Sequence, residues 1–463
     1  MTAPVGRPRR VVLLGGGYVT LHAYTALVRR VRGMLRDGTL EIVVVADSPV
    51  HHFHGFTGEV AAGLLPAHLT QTPLVEAMPR ATVLHARVER VDLAARTVTF
   101  RPVDGGEPGT TAYDALVIGT GAGEPVDEVD GLDGHGLTLR RPGGLEDLAA
   151  AAEAAPGDPE PVLVVGGGLA GVELAAALAD RVGGRPGRVV LVQRAERVVP
   201  DLHAHRPRLA RRCEDELARL GVDVRTGVEV LAVDGTGADL SDGTRVTART
   251  VLATTGQRPV RLPGTEPLSR DERGRLRTLP DLSVRDGVWA AGDAARVVHP
   301  RTHRPVPANA LWAIKAGDQV GRNVARALQG RPGAAFRYLG LGQGAAFGVG
   351  HGIAEVWGVG VVGPLAWALR LVFFLRFLPS RRRALAVPRE IARRHAARRH
   401  AARRHTARRH ATRVGAAHLT GVARPEAPVP VVAGPTAPAD DAARHAEGRT
   451  GQPSTDEVVT APA

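Results

Sequence analysis

Two glycine turns and one acidic turn carry residue types whose spacing could bind and use a dinucleotide. In Gly15-Gly16-Gly17-Tyr18-Val19-Thr20, Gly15 allows a tight turn and Gly17 lets a pyrophosphate approach the backbone. Gly166, Gly168 and Gly171 repeat that spacing in Gly166-Gly167-Gly168-Leu169-Ala170-Gly171-Val172-Glu173, with the third glycine that Thr20 replaces in the first copy. A helix beginning at each turn would offer free N–H groups and the positive end of its dipole to an anion. Asp47 closes the first unit with a carboxylate suited to a ribose diol, and Gln193 stands at the corresponding place in the second. Gly121 and Gly256 end two further Thr-Gly turns, and Gly292-Asp293 follows an apolar run. An acid at the carboxyl end of a strand lies where open α/β sheets bind ligands.

These turns need strands and helices to hold them. Apolar runs of strand length precede each fingerprint (Val11–Leu14 and Val162–Val165) and recur after each intervening helix (Ile42–Ala46 and Val189–Val192). Short alternating runs, Thr82–Val88 and Thr97–Phe100, read as antiparallel strands, and Val228–Val233 reads as their counterpart in the second half. Two fingerprints about 150 residues apart, each followed by strands and a Thr-Gly turn, are far more specific than one. The expected fold is α/β, with two Rossmann-like dinucleotide-binding domains, a C-terminal membrane-surface extension and a disordered tail.

Other chemistry is bounded by composition. The single cysteine, Cys213, excludes an internal disulfide framework and any Cys-x-x-Cys pair, and its surroundings read as a helical, surface or half-buried position without a role. His51, His52 and His54 crowd together, but no second cluster is spaced to complete a metal shell, so they read as lining a cofactor loop. The net charge is +13, and fourteen arginines against the one acid Glu390 between Ser380 and Arg424 equal all of it. The body is therefore nearly neutral, with one basic segment attached. The N-terminal apolar run is too short for a secretory signal, which makes the cytoplasm the expected compartment.

The two fingerprints, the Gly119-Thr120-Gly121 turn and Ala291-Gly292-Asp293 resemble the FAD-dependent pyridine nucleotide oxidoreductases, without their redox cysteines. Within that group the chain is most similar to the type II NADH dehydrogenases over about residues 8–390. The resemblance implies FAD and NADH or NADPH as cofactors. It implies an FAD domain from residues 1–120 and 281–335, with a nicotinamide domain at 121–280. Gly15, Gly17, Tyr18, Asp47, Gly121, Gly292, Asp293 and Ala310 would then bind FAD. Gly166, Gly168, Gly171, Gln193 and Gly256 would bind the nicotinamide nucleotide, and Glu173 would lie near the nicotinamide–flavin junction. NAD(P)H would reduce the flavin in a ping-pong cycle, and a quinone or another acceptor would reoxidise it. Two departures bear on this. The family's Ala-Gln-x-Ala-x-Gln appears here as Ala310-Leu311-Trp312-Ala313-Ile314-Lys315, so both glutamines are replaced, and Lys315 would charge-stabilise an acceptor rather than copy an amide. Gln193 replaces the usual acid and, with Arg194, does not repel a 2′-phosphate.

The C-terminal part points to a membrane surface. Pro364–Leu378 is about 22 Å long as a helix, short of a roughly 30 Å hydrocarbon core. Its arginines, Arg370 and Arg376, can snorkel, and Arg381-Arg382-Arg383 follow at once, the pattern of an interfacial anchor (residues 336–391) attracted to anionic lipid. The expected location is peripheral, on the inner face of the cell membrane, with a homodimer left open. Residues 392–413 hold a five-residue Ala/Arg/His repeat with no apolar face, expected to stay frayed until anions such as the lipid headgroups across 364–410 neutralise it. Nucleic acid is the lesser partner, because no aromatics interleave the arginines. Residues 414–463 are expected to be a disordered tail. Two rival functions remain at this stage: a reductase of a soluble ferredoxin-like carrier, and a flavin-bound NAD(P)H sensor or scaffold.

Overall fold

A computed structural model describes residues 7–419. Residues up to Ala402 form one compact unit; of the second unit, which begins at Arg403, the described residues are helical. The tail beyond residue 419 lies outside the described residues.

The apolar runs build two parallel sheets. In the first, strand Arg9–Leu14 lies between Leu40–Ala46 and Ala115–Ile118, and Val288–Ala290 pairs parallel to Ala115–Ile118. This sheet thus gathers strands from residues 9–118 and 283–290, and Val11 to Leu14 are wholly buried in it. Such near-continuous apolar strands are what burial on both faces requires. The second sheet runs Gly136–Leu137, Thr250–Ala253, Val162–Val165, Val189–Gln193, Asp223–Thr226, and its pairings are all parallel. Thr82–Asp92 pairs antiparallel with Thr97–Pro102, as expected, and also parallel with Leu40–Ala46, so it joins the antiparallel flap to the parallel sheet.

Helix Tyr18–Val28 crosses helix Ala310–Leu328 at very close range. A Cβ on Gly321 would lie 2.1 Å from the Ala23 carbonyl, and one on Gly317 would lie 2.6 Å from that of Val19. Two glycines one turn apart therefore set the start of the second helix beside the first glycine turn.

The C-terminal extension is a three-stranded antiparallel sheet (Gly344–Ala346, Gly352–Val356, Val359–Val362) leading into helix Gly363–Phe377. This helix shares a core with Phe53, Phe56, Val60 and Leu65 and with helix Leu169–Arg181. Phe374 packs edge-on to Phe53 and Phe56, with centroids at 5.9 and 5.7 Å. Fully burying a side chain such as Phe56 contributes about 1.5–3 kcal/mol.

Helix Arg381–Leu419 follows, which corrects the expectation of a frayed repeat. Alanine favours the helix, Glu390 pairs with Arg393 and Arg394, and Arg398 bonds Asp180 (3.2 Å) and the Ala62 carbonyl, while Arg394 bonds that of Gly63 (3.3 Å). Ion pairing and carbonyl capping replace the missing apolar face. Cys213 also departs from expectation, being fully buried, and burial pushes its thiol up to about 12. Among the described residues no helix is long and apolar enough to cross a membrane.

Candidate active site

The structure brings the sequence-derived binding residues together in two groups, each at the carboxyl ends of a parallel sheet. In the first, Gly15 takes φ +96° and a Cβ on it would lie 2.7 Å from the Gly119 carbonyl. Only glycine meets both constraints. Gly17 caps helix Tyr18–Val28, and Thr20, at the third-glycine place, uses its hydroxyl to bond the Leu14 carbonyl at 3.2 Å. Gly292 lies against Val19, which sets Asp293 beside the same turn. Asn309 caps helix Ala310–Leu328 by accepting from the Trp312 N–H at 3.1 Å. Asp293, Asn309 and Trp312 line one small cavity of ≈ 20 Å³, so the acidic turn and the helix start face the same space. Asp47 ends its strand exposed to solvent.

In the second group, a Cβ on Gly171 would fall 1.9 Å from the Gly166 carbonyl. The Gly167 N–H donates to Gln193 Oε1 at 3.0 Å, so Gln193 orders the glycine turn from the ribose position. Cβ atoms placed on Gly168 and Gly256 here, and on Gly121 in the first group, would meet nothing within 4 Å, leaving open space beside the backbone.

Several buried polar atoms around these turns lack any partner among the described residues: Tyr18 OH, His51 Nε2, Thr120 Oγ1, Thr255 Oγ1 and Gln257 Oε1. Buried polar groups are normally hydrogen-bonded, so this concentration at the strand ends marks a place for a polar ligand. Open glycine cradles, helix N-termini and these orphaned atoms together fit FAD at the first sheet and a nicotinamide nucleotide at the second.

The three histidines of the loop make separate contacts. Buried His51 donates from Nδ1 to the Gly16 carbonyl at 2.9 Å and packs edge-on to Tyr18 at 5.0 Å, while His52 faces Ser48 and His54. Burial lowers His51 from 6.5 to about 4, so it is neutral at pH 7. Its folded value is depressed, so stability is full above pH 6.5 and falls as pH drops from 6.5 towards 4. The loss from this group approaches about 3 kcal/mol. Urea midpoints measured across that window should fall less steeply in His51→Gln than in the natural chain; equal slopes would contradict the assignment.

Glu173 and Lys315 are not joined. Lys315 is half-buried on its helix and makes no hydrogen bond or ion pair among the described residues. Glu173 belongs to a buried triad that sequence reasoning missed. Arg370 donates from Nη1 to Glu59 Oε1 (2.7 Å) and from Nη2 to Glu173 Oε1 and to the Gly55 carbonyl (2.8 Å), and its guanidinium stacks on Phe374 at 4.7 Å. Arg370 is 5 % exposed, so it does not snorkel as expected. Burial raises the Glu173 pKa, and nearby Arg370 opposes that rise. Arg140 was also missed: it bonds Asp293 at 2.9 Å and reaches Glu124 at 3.8 Å, tying the inserted segment to the acidic turn. A pattern of Arg and Asp 153 residues apart carries no local signal.

Two parallel sheets, each with a glycine cradle and orphaned polar atoms at its strand ends, define a flavoprotein that also binds a pyridine nucleotide. Residues 9–317 match the pyridine nucleotide-disulphide oxidoreductase family, and the chain belongs to it. It is an FAD-dependent NAD(P)H oxidoreductase similar to the type II NADH dehydrogenases. It is 30% identical to the demethylphylloquinone reductase NdbB of Synechocystis sp., over 80% of this chain and 92% of that one. It is 27% identical to the type II NADH:quinone oxidoreductase Ndh of Mycobacterium tuberculosis, over 81% and 86%. The fold matches NDH2 of Plasmodium falciparum, solved with NADH, at a TM-score of 0.70 and 12% identity, over 83% of this chain and 98% of that one.

Proposed function

We propose that this NAD(P)H dehydrogenase passes its electrons to a quinone at a membrane surface, without cysteine chemistry, and that residues 1–120 with 281–335 hold FAD while 121–280 hold the nicotinamide nucleotide. The observation that carries the membrane part is one face of helix Gly363–Phe377. Leu365 (61 % exposed), Leu369 and Val372 (66 % exposed) recur on it at helical spacing, flanked by exposed Arg376, Arg381 and Arg382. The opposite face of that helix carries Arg370 to Glu173, so the lipid-facing element reaches the nicotinamide half directly. An apolar stripe bordered by cations is what an interfacial helix at the anionic inner face of a cell membrane requires. The quinone assignment draws on the relatives, two of which are named for quinone reduction.

FAD, when bound, supplies two-electron chemistry between the nicotinamide and the acceptor. The chain's residues position and polarise. Gly15 and Gly17 bring backbone N–H groups to a pyrophosphate, and Asp293 and Asp47 offer carboxylates to hydroxyls. The N-terminus of Ala310–Leu328 directs N–H groups at developing negative charge. Lys315, one turn further on, adds a cation where the family carries an amide. Cys213 takes no part, being buried with its thiol pushed up to about 12.

Acceptor assays on the holoenzyme with anionic liposomes test this reading. NADH or NADPH oxidation should be fastest with a menaquinone. Faster turnover with a ferredoxin would move the assignment to a soluble-carrier reductase, and no turnover with any acceptor would leave a redox sensor.

A further inference from the structure

Helix Arg381–Leu419 encloses a space that dinucleotide chemistry does not use. A cavity of ≈ 380 Å³ opens between it and the Trp367–Leu371 flank of helix Gly363–Phe377, with Val349 closing one side. Pro388, Ile391, Ala392, His395, Ala396 and Arg399 form its other wall. These positions recur at three- and four-residue spacing, so they share one helix face. That face changes character along its length. It is apolar at Pro388 and Ile391 and cationic or polar at His395 and Arg399, a span of about 16 Å. His395 and Arg399 make no ion pair among the described residues, whereas neighbouring Arg394 and Arg398 are committed to Gly63, Ala62 and Asp180. These arginines are thus divided: Arg394 and Arg398 fasten the helix to the body, and Arg399 lines the cavity.

We infer that this cavity is a binding site for one acyl chain of an anionic lipid, with the chain against Trp367, Leu371 and Ile391 and the acidic head at His395 and Arg399. An apolar trough with an arginine unpaired among the described residues and a histidine at one end matches an amphiphile that is apolar along its length and anionic at its head. A neutral isoprenoid tail would leave that cationic end unmatched. Filling the site would tie the basic helix to the lipid on which the enzyme sits.

Binding of cis-parinaric acid, an anionic fluorescent C18 chain, to the full-length holoenzyme tests this independently of turnover. Saturable binding should be displaced by oleate and dioleoyl phosphatidylglycerol far better than by oleyl alcohol or a menaquinone. Ala396→Trp, at an exposed helix position, should fill the trough and abolish binding while leaving flavin content and thermal midpoint unchanged. Arg399→Glu should weaken binding of the acid several-fold and not that of the alcohol. Absence of saturable binding, undiminished binding by Ala396→Trp, or displacement by menaquinone as strong as by oleate would each overturn the assignment.

Discussion

Arg370→Met should destabilise the protein by about 3–5 kcal/mol at pH 7, the range for removing one partner of a buried ion pair. Methionine keeps most of the side-chain volume, so the loss comes from charge rather than a cavity. Buried Glu59 and part-buried Glu173 would be left as two neighbouring carboxylates without a counter-ion. Burial already raises the Glu173 pKa, and without Arg370 to oppose it the folded value climbs further above the unfolded one. The variant is therefore relatively most stable at acid pH and loses that stability as pH rises through the raised value. Urea midpoints of the variant and the natural chain should converge on acidification. The triple change Glu59→Gln, Glu173→Gln, Arg370→Met should regain much of the loss, because removing a whole buried triad is often neutral. A pH-independent loss that the triple variant does not recover would mean that Arg370 acts by packing alone. The triad also matters for function. It fastens helix Gly363–Phe377, the proposed lipid-facing element, to helix Leu169–Arg181, which starts at the second glycine turn, so the proposed membrane contact and the proposed nicotinamide cradle meet at one ion-paired contact.

The second large effect separates the two cradles. Gly171→Ala places a methyl 1.9 Å from the Gly166 carbonyl and 2.6 Å from Thr254 Oγ1, forcing helix Leu169–Arg181 away from strand Val162–Val165. The purified variant should keep its flavin and lose saturable reduction by NADH and NADPH. Gly15→Ala should do the reverse. Its φ of +96° adds about 1–3 kcal/mol of backbone strain to the clash with the Gly119 carbonyl, and the protein should purify without flavin. Flavin absorbance per chain and nicotinamide titrations read the two outcomes separately. Normal NADH saturation in Gly171→Ala would contradict the placement of the second cradle.

These cradles were legible because their signal is local: a strand, a glycine turn and a helix follow one another within thirty residues, and steric need dictates the residue types. The pairing of distant segments was not. Glu59 and Glu173 stand 311 and 197 residues from Arg370, and an arginine in an apolar helix looks like one reaching for headgroups. Only the fold shows that Gly55 and Gly58 lie close enough to admit it and Glu173. The same limit hid Arg140, whose partner Asp293 was recognised alone. The repeat misled for a different reason. Its period gives no apolar face, and a helix held by arginines on carbonyls and carboxylates, as at Ala62, Gly63 and Asp180, has no hydrophobic pattern to show. Gly317 and Gly321 were a visible signal, one helical turn apart, that two helices cross at backbone contact.

Quinone reduction by a flavin that NAD(P)H has reduced is the central claim, and anaerobic titration tests it most directly. Adding NADH or NADPH to the holoenzyme should bleach the visible flavin band at stoichiometric amounts, and adding a menaquinone should restore it within the mixing time. A protein that purifies without flavin, or a bleached band that menaquinone leaves unchanged, would contradict the account.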